Sequence, residues 1–179
     1  GNSVSMAYNS IGNITSKSDV GNYTYGSKPH AVTQVSGNVN NSYTYDANGN
    51  RITSSDGTIT YTSFNKAKVI TKGNVTQTFT YDPSADLYKN VVNENGTTSA
   101  TVYVGSIYEK TSTATTSEEL HNIFAGGKIV ATYTKPGTGN PSTKFMLYDH
   151  IGSLSVITDQ AGAIVENLSF DSWGKRRAS

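Results

Sequence analysis

Residues 43–57 read YTYDANGNRITSSDG, and much the same spelling occurs at 7–21, AYNSIGNITSKSDVG, and at 147–162, LYDHIGSLSVITDQAG. Aligned on the tyrosine, the three stretches place Tyr8, Tyr45 and Tyr148 together, and four residues later Gly12, Gly49 and Gly152. Polar and apolar residues follow each glycine, and then an aspartate: Asp19, Asp56 and Asp159. Recurrence on this scale marks a repeat protein, which decides the fold class before any single site is considered.

The tyrosine positions extend the series. Tyr8, Tyr25, Tyr45, Tyr61 and Tyr81 are spaced by alternating shorter and longer intervals, so a unit of about 36 residues would hold two hairpin-like halves. Along the chain, alternation of apolar and polar residues dominates: NYTYG (22–26), NSYTYD (41–46), GTITYTSF (57–64), TQTFTYD (76–82) and TVYVGSIY (101–108). A period of two is the signature of half-buried strands. Asn48-Gly49, Asp56-Gly57 and Asn95-Gly96 are the pairs that most readily supply positive φ for hairpin turns. HNIFAGGKIVATYT (121–134) reads as strand, Gly126-Gly127 turn, strand, whereas 83–98 and 111–119 read as loops that interrupt the rhythm. Thr116 and Glu119 have capping-box spacing, but the run before Gly126 is too short for a stable helix. The expectation is an all-β chain: a repetitive ribbon of antiparallel hairpins forming part of a curved or spiral β-shell.

Local chemistry explains the motif. A tyrosine packs its ring and keeps its hydroxyl at a polar rim. The aspartate after it, as in Tyr45-Asp46, Tyr81-Asp82 and Tyr148-Asp149, can accept from the N–H groups of the following turn. Glycine at the fourth position lets the chain enter the left-handed region. Gly57 and Gly162, after Asp56 and Asp159, would serve the next turn.

Composition agrees with strands and tight turns. Of 179 residues, 17 are Gly, 4 Pro and 12 Tyr, and only 15% are charged. The net charge of +1, from 14 basic and 13 acidic residues well mixed along the chain, gives no footprint for nucleic acid. The absence of cysteine excludes disulfides, thiolate metal sites and cysteine nucleophiles. No apolar run approaches the roughly 18 residues of a membrane-spanning helix, and GNSVSMAYNS at the start lacks the basic head and apolar block of a secretory leader.

The repeated unit resembles the YD repeat of the RHS family, which includes RHS elements, the C-component of insecticidal toxin complexes, and teneurins. YDANGNRITSSDG (45–57) is a close repeat unit and YTSFNKAKVIT (61–71) a linking half-repeat. The segment 148–179 resembles the opening of the RHS repeat-associated core: Asp149, His150, Ile151, Gly152 and Ser153 at its start, then Trp173, Gly174 and Arg176. Residues 1–147 would then be YD-type repeats. The resemblance implies a hollow shell around a toxin or effector polypeptide, secreted or displayed at the cell surface, with the rest of the shell and the enclosed polypeptide as partners. In that family a self-cleaving Asp-Pro region follows the core. Asp82-Pro83 lies inside a repeat and does not match it, so autoprotease and toxin are expected outside this stretch.

No catalytic, cofactor or metal residues are assigned, and no enzyme activity is expected. Asp46-x-Asn48-x-Asn50 imitates the start of a calcium-binding EF-hand loop, but Arg51 and Gly57 occupy the positions that should be Gly and Glu. His30, His121 and His150 show no ligand spacing, and the Asp149-His150 pair has no nucleophile motif beside it. The alternative to a shell is a cell-surface module binding glycan or protein through exposed tyrosines.

Overall fold

The computed structural model describes residues 3–177, so residues 1–2 of the segment 1–147 and residues 178–179 of the segment 148–179 lie outside it. Its elements are all strands: β1 (Met6–Tyr8), β2 (Ile14–Lys17), β3 (Gly21–Tyr25), β4 (Val32–Ser36), β5 (Asn41–Tyr45), β6 (Arg51–Ser54), β7 (Gly57–Tyr61), β8 (Ala67–Lys72), β9 (Val75–Tyr81), β10 (Leu87–Glu94), β11 (Thr97–Val104), β12 (Tyr108–Ser112), β13 (Ser117–Ala125), β14 (Lys128–Pro136), β15 (Ser142–Tyr148), β16 (Leu154–Asp159) and β17 (Ile164–Asn167). The fold is an all-β ribbon of antiparallel hairpins. The tyrosines Tyr8, Tyr25, Tyr45, Tyr61, Tyr81 and Tyr148 each end a strand, and each interval from Tyr8 to Tyr81 contains two strands. One interval is therefore one hairpin step.

The chain forms two compact units. The first contains residues up to 79 together with 92–95, and the second 80–91 with 96 onward. In the first, β1 through β8 and the start of β9 pair antiparallel with sequence neighbours. In the second, β11 through β17 do the same. Pairing between sequence neighbours needs only short turns, so contacts stay local.

Neither unit has the thick core of a sandwich. Among the described residues the buried apolar side chains are Val35 (5% exposed) and Ala131 (3%), and no side chain falls below 2%. The accessible surface is 11775 Å², whereas even two separate compact bodies of half the mass would expose about 10,000 Å². Single-layer packing explains the half-buried side chains on most strands.

Three segments differ from the sequence expectation. Residues 83–98 are not a loop: β10 (Leu87–Glu94) runs through them, and Asn95 (φ 51°) with Gly96 (φ 84°) makes a hairpin turn into β11. The Asn-rich spelling, with Asp86, Lys89 and Glu94 beside it, lowers strand propensity, and pairing overrides it. Residues 111–119 are mostly strand, because β12 extends to Ser112 and β13 begins at Ser117. Only a turn remains, closed by the Thr113 N–H donating to the Thr116 carbonyl (2.9 Å). The stretch 101–108 is two strands rather than one, bent at Gly105 (φ 53°).

Candidate interaction surface

A five-residue turn is the recurring local structure, and its first residue does most of the bonding. In 46–50, the Asp46 N–H donates to the Asn50 carbonyl (2.9 Å) and the Gly49 N–H to the Asp46 carbonyl (3.1 Å). The Asp46 carboxylate accepts from the Asn50 N–H (2.8 Å) and from the Asn50 amide (2.9 Å). The same backbone pair of bonds recurs at 9–13, 62–66, 82–86, 149–153, 159–163 and 171–175. The first residue is Asn9, Thr62, Asp82, Asp149, Asp159 or Asp171, each accepting through its side chain from the fifth residue's N–H. The fourth residue always has positive φ: Gly12 83°, Gly49 89°, Asn65 61°, Ala85 64°, Gly152 92°, Gly162 81° and Gly174 77°. Position four needs the left-handed conformation, and glycine is the usual but not obligatory solution.

This geometry redistributes the motif aspartates. Asp159 does the work of Asp46, opening a turn of its own that Gly162 closes. Asp56 opens no such turn. It accepts from the Ser54 hydroxyl (2.7 Å) and pairs with Lys72 Nζ (2.6 Å), and that lysine holds its carboxyl down at about 2. Asp46 is also held below the ordinary carboxylate range, first by the Asn50 amide. Gly57 is not in the positive-φ region. A Cβ there would collide with the Thr71 carbonyl oxygen on β8, so it is glycine for close strand approach rather than for a turn. Asn48 and Asn50 both donate to Asn65 Oδ1 (2.9 and 3.0 Å), tying one turn to another.

The motif tyrosines tie strands together. The Tyr25 hydroxyl donates to the Ile14 carbonyl (2.8 Å), Tyr45 to Val32 (2.7 Å), Tyr61 to Arg51 (2.9 Å) and Tyr148 to Ile129 (2.8 Å). Each acceptor lies near the start of the preceding strand. β4 and β5 pair at Gln34–Ser42 and Val35–Asn41, near their connecting turn. Tyr45 closes their other end, where the backbones have splayed apart. Burial pushes the hydroxyls of Tyr25, Tyr45 and Tyr81 above their ordinary range. Tyr8 is different: it is 54% exposed and its hydroxyl reaches only Met6 Sδ (3.4 Å).

The two faces of each sheet have distinct chemistry. In the first unit one face carries Tyr23, Tyr43, Ile59 and Ile70. The other carries a cross-strand row of threonines, with Thr44 opposite Thr53, Thr53 opposite Thr58, Thr58 opposite Thr71 and Thr71 opposite Thr76. Thr44 and Thr53 share a hydroxyl–hydroxyl bond of 2.6 Å. In the second unit the face opposite Tyr148 carries Ile123, Ala131 and Phe145 in one cross-strand row. Tyr108, His121 and Tyr133 form the next row, with ring centroids 4.9 and 5.9 Å apart. Beyond it, Glu119 sits between Lys110 (3.4 Å) and Lys135 (3.9 Å). Val104 (55% exposed), Ile123 (47%), Phe145 (42%), Leu147 (51%) and Ile164 (63%) leave this face apolar and open. The alternation in the sequence could have paired these residues only with strand register in hand.

Asp149, His150, Trp173 and Gly174 of the core-like segment lie in turns rather than in that row. His150 and Trp173 are exposed second or third residues of turns. The Asp149 carboxylate is engaged by the Ile151 and Ser153 N–H groups (3.0 and 2.8 Å). Arg176 Nη1 pairs with Glu166 (2.6 Å), and residues 170 and 176 bridge as antiparallel partners. No group of three or more His, Cys, Asp or Glu suited to a metal occurs among the described residues.

No protein-family model and no curated protein matches the chain. Solved structures do. A crystal structure of TcdB2-TccC3-Cdc42 is similar over 97% of this chain, with a TM-score of 0.63 and 12% identity. A Photorhabdus luminescens Tc holotoxin pore and a TcdB2-TccC3-TEV structure are each similar over the same share, with TM-scores of 0.59 and 12% identity. The chain spans only 12–13% of the chains it matches there. At this identity the likeness is one of fold: the hairpin ribbon is shared with chains of Tc toxin complexes.

Proposed function

We propose that the chain is a wall segment of an RHS/YD-repeat shell that encloses a toxin or effector polypeptide for delivery outside the producing cell. The observation that carries this reading is the fold likeness to Tc toxin chains over 97% of the chain. The seven-fold use of one turn, with tyrosines stitching four of the hairpin steps, supports it, since such a ribbon can be extended step by step. The wall works by exclusion. Strand edges are consumed by neighbouring strands, leaving side-chain faces to meet partners. In this reading the segment performs no chemistry, and its partners are neighbouring shell and enclosed polypeptide.

The similar structures join TcdB2 and TccC3 to Cdc42 in one case and to TEV in another. Carried over to this chain, such company suits a wall that does not read one partner's shape. The glycan-binding alternative needs free aromatic rings; Tyr25, Tyr45, Tyr61 and Tyr148 are half-buried at strand ends, which leaves exposed rings such as Tyr8 (54%) and Tyr88 (42%) to serve it. The test is limited proteolysis of the natural particle. A second polypeptide should resist protease until the particle is denatured; a particle in which every polypeptide is cut at the same rate as in denaturant overturns the reading.

A further inference from the structure

We propose that the hydroxyls of Tyr25, Tyr45 and Tyr61 are latches that make the first unit open one hairpin at a time when polypeptide is drawn from either end. The inference concerns how the ribbon comes apart, and it stands whether or not the ribbon encloses anything.

Long and short ladders alternate along this unit. β3 pairs with β4 from Asn22–Ser36 to Tyr25–Val32, β5 with β6 from Tyr43–Ser54 to Tyr45–Arg51, and β7 with β8 from Gly57–Lys72 to Tyr61–Ala67. The ladders between them are cut short. β2 and β3 pair at Ser16–Asn22 and Lys17–Gly21, and β4 and β5 at Gln34–Ser42 and Val35–Asn41. β6 and β7 pair at Thr53–Thr58 and Ser54–Gly57. Each short ladder lies beside its connecting turn, and at its far end a tyrosine hydroxyl reaches across. Tyr25 donates to the Ile14 carbonyl (2.8 Å), Tyr45 to Val32 (2.7 Å) and Tyr61 to Arg51 (2.9 Å). In three successive hairpins, one side-chain bond stands in for the backbone rungs of the open end.

Force entering an antiparallel hairpin reaches its open end first, because the connecting turn holds the other. The tyrosine bond therefore carries the load before any rung does. From the N-terminal side the load arrives through Ile14, Val32 or Arg51, and from the C-terminal side through the tyrosine itself. Once that bond breaks, the rungs near the turn are met one after another rather than together. Pairing in sequence order places the hairpins in series along a stretched chain, so those with short ladders open first. The longer ladders β3–β4, β5–β6 and β7–β8 give way later. A pore or an unfoldase drawing on one end would meet a row of small barriers instead of one cooperative barrier, and forced unfolding is governed by barriers.

The experiment holds the full chain by its two ends in optical tweezers and records extension at constant force. Early steps are expected to release the stretches Ile14 to Tyr25, Val32 to Tyr45 and Arg51 to Tyr61, which span separations of 11, 13 and 10 residues. Each should lengthen the chain by roughly 30–45 Å. Tyr45→Phe keeps the ring and removes the bond, and is expected to make one of these steps about fivefold faster at a given force while the others keep their rates. Tyr43→Phe, on the same strand with its ring beneath Arg51 (5.6 Å), should change none of them. A first unit that opens in a single transition, or in steps that do not match these lengths, overturns the proposal. So does a Tyr45→Phe chain in which no step, or every step equally, is accelerated. If Tyr45→Phe fails to fold, Tyr61→Phe is read by the same criterion on the Arg51–Tyr61 step.

Discussion

Gly49 and Gly57 stand in one short stretch, NGNRITSSDG, yet different forces require them. Gly49 supplies φ of 89°, the role that Asn65 and Ala85 fill in equivalent turns. Gly57 has ordinary φ and lies against the Thr71 carbonyl. Gly49→Asn should therefore cost under about 1 kcal/mol, while Gly57→Ala should cost at least about 2 kcal/mol, because backbone must move. Urea midpoints of the two variants check the order. The dipeptides Asn-Gly and Asp-Gly look alike in the sequence, because the Thr71 contact depends on the pairing of β7 with β8. Asp56 adds a pH dependence. Its carboxyl is held at about 2 by Lys72, below the ordinary value near 3.9. A depressed carboxylate contributes stability above its unfolded pKa and loses it as pH falls toward the folded value. The urea midpoint should fall between pH 4 and pH 2, and Asp56→Asn should reduce that fall. Asp46, lowered by the Asn50 amide, contributes with the same sign.

At the level of the strand and turn, the hydroxyls of Tyr25, Tyr45, Tyr61 and Tyr148 each secure the splayed end of a hairpin step. Tyr45→Phe removes the bond to the Val32 carbonyl and should destabilise the chain by about 0.5–1.5 kcal/mol. The expected mark is faster amide exchange at the start of β4, with the ring packing retained. The sequence disclosed the strands that alternate cleanly and the turns that follow tyrosine, because both signals are local. It concealed β10 and the ends of β12 and β13. There Asn, Lys, Glu and Thr occupy strand positions whose partners, such as Lys110 and Lys135 on either side of Glu119, come from other strands. The apolar face was hidden for the same reason: Ile123, Ala131 and Phe145 become one row only through register.

For the whole molecule, pairing between sequence neighbours, which runs from β1 to β9 and from β11 to β17, makes stability a sum over steps. Tyr25→Phe and Tyr61→Phe, on β3 and β7, should be additive within about 0.3–0.5 kcal/mol in a double-mutant cycle. A larger coupling would mean that the steps are not independent. A surface of 11775 Å² with few buried side chains also means that the sheet faces, rather than an interior, are what the molecule offers. Such a surface suits the wall proposed above. The most direct test of this account is the mass of the natural particle, measured native and then denatured. The account predicts a large native particle that releases, beside the polypeptide carrying these residues, a second polypeptide held inside. A native mass equal to that of a single chain with nothing enclosed would contradict it.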